Sequence, residues 1–131
     1  MQCTYGWDWV ERFVTAGIEK DVTLFRKEKC EIDNVYVYTQ NANKDTAQIA
    51  INVEFTDADL DMYAEYTICD SEGNTVFLRT LVIAEDVQYQ TITLANPKLW
   101  YPLGYGESPL YDLTIKIKDR KGKIINEKSL K

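Results

Sequence analysis

From residue 31 onward, apolar and polar residues alternate with a period of two, and this most constrains the fold. A period of two sends successive side chains to opposite faces, so each run buries one face of a β-strand and exposes the other. Ile49, Ile51, Val53 and Phe55 alternate with Ala50, Asn52 and Glu54. Tyr111, Leu113, Ile115 and Ile117 alternate with Asp112, Thr114, Lys116 and Lys118. Looser runs cover 32–39, 62–69, 75–83, 87–94 and 123–130. Turn formers separate them: Gln40-Asn41-Ala42-Asn43, Asp57 to Asp61, Ser71-Glu72-Gly73-Asn74 and Arg120-Lys121-Gly122. About seven short strands, with turns every 8–12 residues or so, predict an all-β chain: an immunoglobulin-like antiparallel β-sandwich with an N-terminal extension. Two such sheets bury their apolar faces against each other. The 131 residues suffice for one such core. They are too few for a complete (β/α)₈ barrel, which needs roughly 200 or more.

Two stretches break the rhythm. Residues 95–109 hold all 3 prolines of the chain, and proline cannot donate to a ladder, so a long ordered loop is expected there. Its aromatics, Trp100, Tyr101 and Tyr105, must lie on something: one end of the sandwich, a neighbouring domain or a sugar. Residues 1–30 place Trp7, Trp9, Val10, Phe13, Val14 and Ile18 at a spacing compatible with an amphipathic helix. Thr15-Ala16-Gly17 and the β-branched Val22-Thr23 weaken that assignment.

Composition excludes several chemistries. The 15 basic and 21 acidic residues give a net charge of −6, and phosphate backbones need clustered cations. The densest cluster, Lys116, Lys118, Arg120, Lys121 and Lys123, brackets one turn and reads as a solvated hairpin edge, so no nucleic-acid partner is expected. There is no His, which removes His-based general bases, Ser-His-Asp and Cys-His sites and His metal ligands together. Cys3, Cys30 and Cys69 are odd in number, form no C-x-x-C pair and read as buried free thiols. The triplet Asp57, Asp59, Asp61 has the spacing that opens a Ca²⁺ loop, but the sixth position is Met62 and the twelfth Ile68, so a solvated turn is expected. Neither a metal nor a cofactor is expected. No apolar run approaches the roughly 18 residues of a membrane span, and no signal-like apolar stretch opens the sequence; the compartment is left open.

Two motifs carry a family resemblance. Gln2-Cys3-Thr4-Tyr5-Gly6-Trp7-Asp8-Trp9, followed by Arg12-Phe13-Val14-Thr15-Ala16-Gly17-Ile18, resembles the end of the sugar-binding domain in β-mannosidases of glycoside hydrolase family 2. Asn96-Pro97-Lys98-Leu99-Trp100-Tyr101-Pro102, with Gly104-Tyr105-Gly106 and Pro109-Leu110-Tyr111-Asp112-Leu113, resembles the late part of the immunoglobulin-like domain that follows. Their order and separation are what that domain pair gives. The resemblance implies a mid-chain fragment of an enzyme built from an N-terminal jelly-roll, an immunoglobulin-like sandwich and a catalytic (β/α)₈ barrel. Residues 1–27 would be the end of the jelly-roll and residues 28–131 the sandwich. The two barrel carboxylates of the retaining mechanism, which stand about 5 Å apart, would be absent, so the fragment is expected to be non-catalytic. The Asn126-Glu127 pair matches the family's acid/base dipeptide but falls in a terminal strand of the sandwich and reads as coincidence.

By the same resemblance, Asp8 would reach the mannoside pocket and bind sugar hydroxyls, with Trp7 as a wall; a carboxylate accepts two such donors at once. Members usually continue Gly-Pro after this motif, whereas this chain has Val10-Glu11. Val resists the positive φ that Gly permits. Trp100, Tyr101 and Tyr105 would pack at a seam with the other domains of the parent chain. In the fragment they would form an exposed apolar patch and a site of self-association. The alternative is a free-standing carbohydrate-binding module with Trp7, Trp9, Trp100, Tyr101 and Tyr105 as its platform. A jelly-roll strand without its own sheet is expected to pair elsewhere, so residues near Val22-Thr23-Leu24-Phe25 should meet a strand edge.

Overall fold

The computed structural model describes residues 17, 18, 20–24, 26 and 29–131. Seven strands follow one another: β1 (Glu31–Ala42), β2 (Thr46–Thr56), β3 (Met62–Cys69), β4 (Thr75–Val82), β5 (Val87–Ala95), β6 (Asp112–Asp119) and β7 (Ile124–Leu130). They build two antiparallel sheets, of order β1-β2-β5 and β4-β3-β6-β7. Hairpin neighbours pair within a sheet, whereas β2 pairs with β5 and β3 with β6 across longer connections. This is the predicted immunoglobulin-like sandwich.

The clean alternation belongs to the central strands. Ile51, Val53 and Phe55 of β2, Ala64, Tyr66 and Ile68 of β3, and Leu113, Ile115 and Ile117 of β6 are buried between the sheets. Ile92 and Leu94 of β5 close the core from the first sheet. The Tyr66 hydroxyl donates to Gln88 Oε1 at 2.6 Å, so its burial leaves no orphaned phenol. The looser runs at 32–39 and 75–83 are β1 and β4, which lie at sheet edges and keep much of their surface in water. The sheets are joined at the β1–β7 flank, where Asn126 Oδ1 accepts from the Ile32 amide at 3.3 Å and Lys128 Nζ donates to the Asp33 carbonyl at 3.0 Å.

The helix expected from Trp7 to Val14 lies outside the described residues. Ile18, also part of that pattern, is 81% exposed and lies in no helix. Of the strand-edge contact expected near Val22-Thr23-Leu24-Phe25, the described residues 22–24 form no strand. Val22 is 79% and Leu24 99% exposed, neither is in a strand, and Phe25 lies outside the described residues. The edge strands β1, β4 and β7 pair with their hairpin neighbours and β5 pairs with β2.

Candidate functional site

The expected proline-rich loop runs from the end of β5 to the start of β6 and is held at both ends. Asn96 turns the chain with φ 47°, a left-handed conformation that Asn tolerates, and its amide donates to the Asp45 carbonyl at 2.7 Å. The Lys98 amide donates to the Tyr111 hydroxyl at 2.7 Å, tying the loop's entry to its exit. Lys98 Nζ meets Glu72 Oε1 at 2.5 Å and Asp70 Oδ2 at 3.4 Å. Within the loop, the Tyr101 amide donates to the Glu107 carbonyl at 2.8 Å and Ser108 Oγ donates to the Tyr101 carbonyl at 2.7 Å. Pro102 to Tyr105 is a hydrogen-bonded turn whose third residue, Gly104, has φ 87°, the type II requirement. Gly106 lies against the Tyr101 ring, so closely that a Cβ there would stand 2.8 Å from Tyr101 Cδ2.

Asp70 anchors this loop to the β3–β4 turn. One carboxylate oxygen accepts from the Glu72 and Asn74 amides, each at 2.9 Å, and the other from Asn74 Nδ2 at 3.2 Å. These donors, the Asn74 amide foremost, together with the Lys98 cation, pull its pKa down to about 2 against the desolvation that opposes them. Lys98 is raised in turn, chiefly by its hydrogen bond to Glu72.

The loop sorts its side chains into two sets. Leu99, Pro109 and Tyr111 line a cleft of about 400 Å³ with Thr39, Ala47 and Leu94 of the first sheet. Trp100 and Tyr101, two of the predicted aromatics, line the same cleft with part of their surface. Trp100 stays 57% exposed and Tyr105 83%, and Leu103 and Leu110 join them on the surface; Tyr101 is exposed too, with one face on Gly106. A second cleft of about 450 Å³ runs beside Leu110 between the β1 edge and Leu130 of β7, floored by Ile51 and Ile68. The loop therefore presents a continuous apolar rim that its own sandwich leaves uncovered.

Asp8 and Trp7, with Trp9 and Cys3, lie outside the described residues. Asn126 and Glu127 are both occupied structurally: the Asn126 amide holds the β1–β7 flank, and Glu127 stands 3.9 Å from Lys116 across the β6–β7 ladder. Asp59 pairs with Lys29 and Asp61 with Arg120, giving two aspartates of the Ca²⁺-like triplet cationic partners. The basic turn is the β6–β7 hairpin, and Lys116, Lys118 and Arg120 each pair with a carboxylate. Cys30 is a buried free thiol, its pKa pushed up by burial; Cys69 is free but only half-buried. Sequence reasoning did not single out Tyr36, Tyr38 and Tyr89, which gather on the outer face of the first sheet. The signal for them was a pair of tyrosines two apart in one strand.

Comparison with known proteins agrees with this geometry. Beta-mannosidase B of Aspergillus flavus is 28% identical over 118 residues, which are 88% of this chain and 14% of that protein. Beta-mannosidase B of Aspergillus terreus is 26% identical over 140 aligned residues, covering 99% of this chain and 15% of the relative. The chain thus spans about one-seventh of the length of these relatives. Among solved structures, a putative beta-galactosidase from Bacteroides fragilis superposes with TM-score 0.66 at 25% identity, over 79% of this chain and 17% of that one. A beta-glucuronidase from Bifidobacterium dentium superposes with TM-score 0.67 at 23% identity, over 77% and 17%. The family model of glycosyl hydrolases family 2 matches residues 30–131, the whole of the sandwich, and the chain belongs to that family.

Proposed function

We propose that this chain is a non-catalytic, immunoglobulin-like accessory domain of a larger β-mannosidase, and that the loop from Trp100 to Pro109 is its seam with a neighbouring domain. One observation carries the reading: a family match confined to residues 30–131 in a chain spanning 14% of its β-mannosidase relatives. The exposed Trp100, Leu103, Tyr105 and Leu110 support the seam, because a rigid apolar rim of this kind needs a cover. The work of the domain is then architectural: it sets the spacing between a preceding sugar-binding jelly-roll and a following barrel. Residues 1–27 belong to the jelly-roll. In the parent, Asp8 binds mannoside hydroxyls beside Trp7, and the barrel supplies both carboxylates of a retaining hydrolysis.

The test is an assay of the 131-residue chain and of the longer protein on p-nitrophenyl β-mannoside. Turnover by the longer protein alone is expected; turnover by the short chain overturns the accessory reading. In the longer protein, Trp100→Ala should lower thermal stability and Asp8→Ala should raise KM. The short chain should self-associate through the rim, seen as concentration-dependent sedimentation that Leu103→Ser reduces.

A further inference from the structure

The outer face of the β1-β2-β5 sheet carries an arrangement that the seam reading does not use. Alternation sends Tyr36 and Tyr38 of β1 and Tyr89 of β5 outward, and their register partners on central β2 are Asn52 and Ala50. Ala50 offers only a methyl group, so rings from the two flanking strands converge across the central one. The Tyr38 and Tyr89 hydroxyls stand 3.5 Å apart. Gln40 Nε2 donates to Tyr89 Oη at 3.0 Å, Thr91 Oγ1 donates to it at 3.4 Å, and the Tyr36 and Tyr38 ring centroids are 5.5 Å apart. These contacts position the rings without covering them: Tyr36 remains 59%, Tyr38 40% and Tyr89 55% exposed.

The polar groups around the rings favour one class of ligand. Asn52 Oδ1, in register between Tyr36 and Tyr89, is buried and accepts no hydrogen bond. With no accessible surface, that oxygen is not among the groups the face offers to a ligand. Gln40, Asn52 and Thr91, which share the face with the rings, are all neutral. Flat exposed rings fringed by neutral amides and hydroxyls suit pyranoses, whose C–H faces lie on aromatics and whose hydroxyls exchange hydrogen bonds with amides. A nucleic acid would need clustered cations. A protein hot spot would need a deep apolar pocket, and this face is a sheet surface.

We propose that Tyr36, Tyr38 and Tyr89 form a binding platform for a neutral, pyranose-based polysaccharide, with Gln40 and Thr91 at its polar fringe. The test is affinity electrophoresis of the 131-residue chain through gels holding soluble galactomannan, xylan or hydroxyethylcellulose, with titration against β-1,4-mannohexaose. Retardation by at least one polymer is expected. Tyr36→Ala and Tyr89→Ala should each weaken it about tenfold, Gln40→Ala should weaken it less, and Trp100→Ala on the rim should leave it unchanged. Circular dichroism checks that the variants fold. Amide shifts of the wild-type chain at residues 36–40, 50–52 and 89–91, on adding whichever polymer retards it, test the site without any substitution. The proposal is overturned by free migration through all three polymers, by retardation indifferent to the tyrosines, or by retardation that Trp100→Ala abolishes. It is also overturned if a neighbouring domain in the longer protein covers the face, read as loss of retardation and protection of the three tyrosines from iodination.

Discussion

Replacing Tyr111 by Phe removes one oxygen and tests how the rim is held. The ring packs against the core from the start of β6, and Phe keeps that packing. What disappears is the acceptor 2.7 Å from the Lys98 amide. An amide left buried without a partner costs roughly 1–3 kcal/mol. Lys98 is only half-buried, so water replaces part of the lost bond and the low end, about 1 kcal/mol, is expected. For a sandwich of this size that corresponds to a fall in Tm of about 4–8 °C. The urea midpoint should fall at unchanged m. Hydrogen exchange at the Lys98 amide should speed about fivefold, since the bond to Tyr111 is what closes the loop's two ends. Tyr105→Phe, at an 83% exposed position, is the control and should stay within about 0.5 kcal/mol of wild type. A Tyr111→Phe protein that melts with the wild type and keeps Lys98 protected would refute the claim that this bond anchors the loop.

Three further outcomes are expected. The folded Asp70 carboxyl is held down at about 2, below its ordinary 3.8, so its contribution to stability is complete above about pH 4 and is lost as pH falls toward 2. Urea midpoints between pH 5 and pH 2 should therefore decline less steeply in Asp70→Asn than in the wild type. Gly106→Ala sets a Cβ 2.8 Å from Tyr101 Cδ2, so the ring must move. The Tyr101 and Ser108 signals in NMR spectra should shift, with a loss of about 1–3 kcal/mol by calorimetry. Ile115→Ala empties a position with no exposed surface between the sheets and should cost about 2–5 kcal/mol in urea unfolding, the largest loss of the set.

How legible each part was depended on how local its cause was. β2 and β6 were plain because a central strand packed on one face must alternate, and β6 does so from Leu113 to Ile117 and β2 from Ile51 to Phe55. β1 and β4 were blurred because an edge strand buries less, and several of their positions are exposed on both faces. The long loop announced itself through its prolines. Which of its side chains would face inward did not, since Tyr111 and Leu99 turn toward the sheets while Leu103 and Tyr105 stand in solvent.

An antiparallel β-sandwich with a proline-rich, aromatic loop before its sixth strand follows from the chain's local pattern, because alternation and proline act on the residues that carry them. Which side chains meet is set at the level of the assembled sheets. Asn126 reaches Ile32 across 94 positions, Lys98 reaches Asp70 across 28, and Tyr38 reaches Tyr89 across 51. Each meeting follows from strand order and register, which shift every side chain's partner with a slip of one residue and so depend on all the strands at once.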